Sequence, residues 1–327
     1  MSFQIGDSLY LAAEEIMDES SQSICIMTNG QISSPSNSKQ TVLCDLISFC
    51  ERLQLILERD RNQNKIFVCP IRRDSQCIAE ACFYLGSFLI LSSGWKYIDV
   101  VAAFRFHNEL APFLNIELVL GKISALDGWR ALDRSVQLGW FVHPDSDDEP
   151  VLDVDELTHY SSRANGMVHL TVPGDLIFFP TPTHLPDGEQ WTDYTLEDGS
   201  TVRRFSAQFY AELFKDLNVS VVVCLGAGSE AAASALSGYG IESMDLGLSA
   251  DGSSLLRGLD ALLSLARATP GAVAVHSGEG FVWPGYVGTL VEAFLISRLG
   301  FDEGSAGAWL RMAGPWMLPI GRQRSSP

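Results

Sequence analysis

The chain has 327 residues, 46% of them apolar and 19% charged, which excludes a disordered or low-complexity protein and leaves room for about two packed domains. Its formal net charge is −18. Nucleic acid and anionic membrane surfaces are bound through Lys and Arg, so neither is an expected partner, and a basic protein or peptide segment is the electrostatically favoured one.

The seven cysteines are Cys25, Cys44, Cys50, Cys69, Cys77, Cys82 and Cys224. Their number is odd, their spacing matches no C-x-x-C zinc pattern, and most lie in or beside apolar runs. Buried thiols are expected, with no metal or cofactor. Residues Met1 to Asp7 carry no signal-peptide pattern. The most apolar stretch, Ile78 to Leu91, contains Glu80 and is too short to span a bilayer. The expectation is an intracellular protein of the cytoplasm or nucleus.

In chain order, the polar, Ser-rich run at 29–40 predicts a surface loop. Leu46, Cys50, Leu53 and Leu57 then fall on one face of a helix. Lys65 to Cys69 predicts a buried strand, and residues 77–93 a helix apolar on all sides and therefore central. The charged, Pro-flanked run His143 to Pro150 breaks the pattern and places an inter-domain connection just after it. Asp153 to Tyr160 predicts a helix with acidic residues in its first turn. Strands are predicted at Asp175 to Phe179, Val221 to Leu225 and Gly271 to Val275. Helices are predicted at Leu255 to Ala268, with Leu255, Leu259, Leu262 and Leu263 as its stripe, and at Thr289 to Leu299. This alternation predicts an α/β fold.

Between the last of these strands and its helix lies His276-Ser277-Gly278-Glu279-Gly280-Phe281-Val282-Trp283-Pro284-Gly285-Tyr286-Val287-Gly288. A Gly-rich loop running into a helix N-terminus presents backbone N–H groups and a positive dipole end to an anion. The loop is not a Walker loop, because G-x-x-x-x-G-K-[ST] is absent.

Residues 271–315, G-A-V-A-V-H-S-G-E-G through A-W-L-R-M-A-G-P, resemble the active-site segment of protein-tyrosine and dual-specificity phosphatases. The match is closest to the mitotic-exit dual-specificity phosphatases of the cell-division-cycle group. Residues 153–179 resemble that group's domain junction. Tyr239 to Leu246 with Asp251-Gly252-Ser253 resemble its general-acid loop, and Gly6 to Tyr10 its opening strand. Arg72 and Arg73 resemble the remnant loop of its non-catalytic domain. The resemblance implies two tandem protein-tyrosine-phosphatase-like domains, each a central sheet flanked by helices. On that pattern residues 1–150 form a non-catalytic domain, 151–168 a linker helix region, and 169–327 the domain with the active-site loop.

The family loop is H-C-x-x-G-x-x-R-[ST]-G. Its cysteine attacks phosphorus as a thiolate, its arginine clamps two phosphate oxygens, and an aspartic acid protonates the leaving group. By resemblance, the nucleophile position is Ser277 and the general-acid position Asp251. Aligning Gly288-Thr289-Leu290 with the family's G-T-L makes residues 281–283 an insertion and Tyr286 the arginine position. His276, Gly278, Glu279, Gly280, Gly285 and Gly288 make up the rest of the loop. No Lys or Arg lies between His276 and Arg298. A Glu279 carboxylate facing the cradle would repel a unit charge at about 4 Å by roughly 4 kcal/mol at an effective dielectric of 20. Asp153, Asp155 and Glu156 match part of an acidic region that in the family receives a basic residue of the substrate.

These features predict a catalytically silent phosphatase homologue that acts by binding a basic or phosphorylated protein segment. The competing reading is an active phosphatase whose loop is misrepresented, with residues 281–283 a gene-model artefact. A metal-dependent phosphatase is a third, but the loop offers only His276 and Glu279 as ligands, fewer than a catalytic metal needs.

Overall fold

The structure is a computed structural model. It describes residues 2–5, 9–12, 24–28, 41–59, 66–70, 74–118, 122–142, 151–186, 188–195, 199, 201–228, 230–248, 252–278 and 285–314. By internal contact the chain divides into two units, Met1–Val151 with Phe301–Met312, and Leu152–Gly300 with Ala313–Pro327.

In the first unit, β1 (Ser2–Gln4), β2 (Leu9–Ala12), β3 (Ile24–Thr28) and β4 (Ile66–Pro70) form a sheet in the order β1-β2-β4-β3. Strand β1 runs antiparallel to β2, while β2 and β3 flank β4 in parallel. The helices are α1 (Val42–Arg59), α2 (Ser75–Leu91), α3 (Tyr97–Phe106) and α4 (Ala125–Gln137). Helix α2 is the core element: every residue from Ala81 to Ile90 is buried, as an all-apolar helix requires. It starts where the Asp74 carboxylate accepts the Cys77 N–H at 2.9 Å, a side-chain cap. Trp129 of α4 donates its indole N–H to Phe83 O at 2.9 Å. The indole lies over Gly86, where a Cβ would collide with it.

In the second unit, α5 (Val154–Ser161) leads to β5 (His169–Val172) and β6 (Leu176–Phe178). Then come β7 (Trp191–Thr195), β8 (Thr201–Phe205), α6 (Ala207–Asp216), β9 (Val219–Cys224), α7 (Glu230–Ser237) and β10 (Glu242–Asp245). The unit closes with α8 (Gly252–Ala268), β11 (Ala272–His276) and α9 (Gly285–Leu299). The sheet order is β10-β9-β11-β6-β5. Neighbours pair in parallel except at the β5 edge, which is antiparallel to β6. The central strands β9 and β11 are apolar over most of their length, as strands covered on both faces of a parallel sheet are. Strands β7 and β8 form a separate antiparallel ribbon.

The predicted elements are present with shifted ends. The central helix spans 75–91 rather than 77–93, because the Asp74 cap draws its start back. Helix α9 starts at Gly285, four residues before the predicted Thr289. Gly285, Tyr286 and Gly288, expected in the loop, therefore belong to the first turn of a helix held by the burial of Tyr286 and Val287. The last helix, α10 (Glu303–Ala313), was expected in the domain spanning 169–327, yet residues 301–312 group with the first unit. Trp309 is fully buried, its ring 4.8 Å from that of Trp140, and Asp302 accepts from Arg130 at 3.1 and 3.2 Å. The runs at 29–40 and 143–150, Gly6 to Ser8, and Arg72 and Arg73 lie outside the described residues. Cys44, Cys50, Cys77, Cys82 and Cys224 are buried thiols that form no disulfide with one another. Among the described residues, no helix is long and apolar enough to cross a membrane.

Candidate active site

Open α/β sheets bind ligands beyond the carboxyl ends of their parallel strands. In the second unit β9 and β11 end level, with Cys224 the register partner of His276. Pairing continues past both strands: the Leu225 N–H donates to His276 O at 2.9 Å and the Gly226 N–H to Ser277 O at 3.0 Å. On the other side the Leu246 N–H donates to Cys224 O at 2.9 Å. Three chain segments are thus stitched together where a ligand loop would open.

Ser277 is buried, 6% exposed. Its Oγ lies 3.4 Å from the hydroxyl of Thr181, in the segment that follows β6. The Gly278 N–H donates to the same Thr181 oxygen at 3.1 Å. Gly278 has φ +77°, and a Cβ there would sit 2.7 Å from Cys224 Sγ and 2.8 Å from Ala227 O. Only glycine meets both conditions without strain. The first residues of the loop are therefore held between Thr181 on one side and Cys224 with Ala227 on the other.

The His276 ring and the Cys224 thiol are uncharged at neutral pH. His276 is 5% exposed, its ring 5.1 Å from that of Phe179, and its Nδ1 has no hydrogen-bond partner among the described residues. Burial lowers its pKa to about 4. The Cys224 thiol is pushed up to about 11 by burial, with the Asp245 carboxylate adding to the rise and the Gly226 N–H opposing it. Arg298 stands in the last turn of α9, about 18 Å along the helix axis from Tyr286. There it donates to Asp175 at 3.3 and 3.4 Å and to Ala266 O at 3.1 Å.

The other predicted site residues are distributed as follows. Tyr286, the arginine position by resemblance, is buried at 4% exposure, and Gly288 is buried beside it in α9. Asp251, Glu279 and Gly280 lie outside the described residues. Asp153 caps α5 by accepting the Glu156 N–H at 3.0 Å; Asp155 and Glu156 are exposed in the first turn. Helix α5 packs on β5, two strands from β11, so these acids and the loop stand on separate elements. Among the described residues no three His, Cys, Asp or Glu side chains are grouped to hold a metal. Sequence reasoning passed over Thr181 and Cys224 as partners of the loop. The signal for Cys224 was present, since two valine runs of a parallel sheet end in Cys224 and His276. Thr181 carried none.

A parallel strand ending in histidine, a glycine-bearing turn and a buried helix, set on a central sheet between helices, agree with the protein-tyrosine-phosphatase class of α/β fold that the sequence resemblance implies. Within that class the chain is a homologue of the CDC14 dual-specificity phosphatases. It is 24% identical to Tyrosine-protein phosphatase cdc-14 of Caenorhabditis elegans over 294 residues, 85% of this chain and 38% of that protein. It is 29% identical to Dual specificity protein phosphatase CDC14A of Homo sapiens over 203 residues, 62% of this chain and 30% of that one. The chain thus spans about a third of the length of these curated relatives. No protein-family model matches it. Among solved structures, TpbA of P. aeruginosa in complex with phosphotyrosine aligns at 18% identity and a TM-score of 0.27, over 41% of this chain and 84% of that one. Human DUSP28 aligns at 18% identity and a TM-score of 0.28, over 43% and 89%.

Proposed function

We propose that this phosphatase homologue is a pseudophosphatase, which binds a protein partner and does not hydrolyse phosphate esters. The observation that carries the reading is the condition of the loop's first two residues. Ser277 sets its hydroxyl against the hydroxyl of Thr181, no base stands against it among the described residues, and a hydroxyl without a base is a weak nucleophile. The Gly278 N–H, which an anion cradle would turn toward phosphate, is taken by Thr181. The neighbouring sulfur does not substitute for the absent nucleophile. With its pKa at about 11, roughly one Cys224 thiol in ten thousand is ionised at pH 7. Arg298, the first cationic residue of the chain after His276, is held by Asp175 at the far end of α9. The partner is a basic or phosphorylated protein segment of the cytoplasm or nucleus, in keeping with the charge of −18.

The test is turnover of p-nitrophenyl phosphate and of phosphoserine-proline peptides by the full chain. Activity at the level of a buffer blank, unaltered in Ser277→Ala, is expected. Reproducible turnover abolished by Ser277→Ala would overturn the reading, as would an authentic transcript that restores cysteine and arginine across codons 276–290. Millimolar vanadate or tungstate, followed by thermal shift, is expected to leave the melting temperature unchanged.

A further inference from the structure

Strand β10 forms one outer edge of the second unit's sheet. All four of its residues, Glu242, Ser243, Met244 and Asp245, are exposed, whereas β9 and β11 are buried almost throughout. A strand of a parallel sheet is ordinarily covered on both faces. The backbone of β10 is open as well. Just past the strand, the Leu246 N–H donates to Cys224 O at 2.9 Å. Inward and outward residues alternate along a parallel ladder, so Glu242 and Met244 also turn their backbone groups to β9, and Ser243 and Asp245 turn theirs outward. Among the described residues no strand pairs with those outward N–H and C=O groups.

The side chains select what such an edge can take. Alternation puts Glu242 and Met244 on one face and Ser243 and Asp245 on the other, so each face carries one carboxylate. Glu242 makes no ion pair among the described residues. Asp245 is fixed by accepting the Gly228 N–H at 3.2 Å. Met244 is 40% exposed, a surface for the methylene stem of a lysine or arginine. A second copy of the chain is disfavoured. Full antiparallel pairing of two such strands sets Glu242 opposite Asp245 at both ends, and like charges directly opposite destabilise a ladder. The net charge of −18 adds to that repulsion.

We propose that β10 is a docking edge, to which a partner protein adds one extended segment bearing lysine or arginine. Main-chain pairing with Ser243 and Asp245 holds the segment, and the carboxylates of Glu242 and Asp245 select its charge. This gives the basic partner of the proposed function a surface, and it rests on that part of the reading alone. Strand β9 separates β10 from β11, which leads into the loop, so the docking edge stands whether or not the loop turns over phosphate.

Calorimetric titration of the full chain with three short peptides, joined to amide hydrogen exchange, tests it. The first alternates lysine and valine, the second is the same sequence with its backbone amides N-methylated, and the third alternates glutamate and valine. Only the first is expected to bind, and at saturation it should slow exchange of the Ser243 and Asp245 amides. Glu242→Lys is expected to weaken that binding roughly two- to thirty-fold, from an attractive cross-strand pair turned repulsive. Ser243→Pro removes an outward donor without touching the ladder to β9 and is expected to abolish it. Glu242 is exposed, so its variant keeps the test open if the proline disturbs the strand. Equal binding of the N-methylated or of the acidic peptide would overturn the proposal. So would unchanged exchange at Ser243 and Asp245 under saturating lysine–valine peptide, or no heat with that peptide at millimolar concentration.

Discussion

Acid should unfold the second unit through two histidines. His169 is 1% exposed, neither of its ring nitrogens has a hydrogen-bond partner among the described residues, and burial lowers its pKa from 6.5 to about 4. His276 is lowered to the same value by the same cause. Both folded-state values lie below the unfolded one, so the fold accepts only the neutral ring. Above pH 6.5 stability is complete; below it the unfolded chain takes up protons that the folded chain refuses, until about pH 4. For each ring the loss at pH 5 is about 2 kcal/mol, and for the pair about 4 kcal/mol. That is a large part of the 5–15 kcal/mol typical of a domain. Urea unfolding followed by circular dichroism at pH 7.5, 6.5, 5.5 and 5.0 should show the free energy falling by up to roughly 2.7 kcal/mol per pH unit. His169→Phe and His276→Phe each remove one titration and should each halve that slope, whatever they do to the stability at pH 7.5. Carboxylates and the relief of net charge act equally in all three proteins. Slopes that coincide in wild type and both variants would therefore refute the reasoning.

Gly278→Ala should destabilise the second unit by about 2–4 kcal/mol, from the left-handed backbone and the contacts with Cys224 and Ala227. Adding Cys224→Ala should recover part of that loss, and a strictly additive double-mutant cycle would count against the packing described. In the first unit, Gly86→Ala drives a methyl into the Trp129 indole and should cost about 1–3 kcal/mol by chemical denaturation. Ser277→Cys alone should restore no p-nitrophenyl phosphate turnover, since the loop still lacks a guanidinium and Thr181 still takes an amide.

The α/β class was legible because its central strands are short, largely apolar runs and the core helix of the first unit is apolar almost all round; both patterns follow from burial on every side. The β7–β8 ribbon was not, because Phe205 is its one buried residue, too little to impose a period. The start of α9 was misplaced because Gly285 and Gly288 look like loop residues until the burial of Tyr286 and Val287 is seen. Within the site, Ser277 and the absence of Lys or Arg up to Arg298 are plain in the sequence. The clamp by Thr181 is not, because a single threonine 97 positions from Gly278 in the chain leaves no local pattern.

Residues 301–312 complete the first unit although they are made after almost all of the second. During synthesis at the usual 5–20 residues per second, the segment that ends at Val151 must wait roughly ten to thirty seconds before its last helix emerges from the ribosome. The partner unit can begin to fold in that interval. The nascent chain therefore holds an incomplete N-terminal core, with Trp140 uncovered by Trp309, a surface that chaperones would be expected to shield.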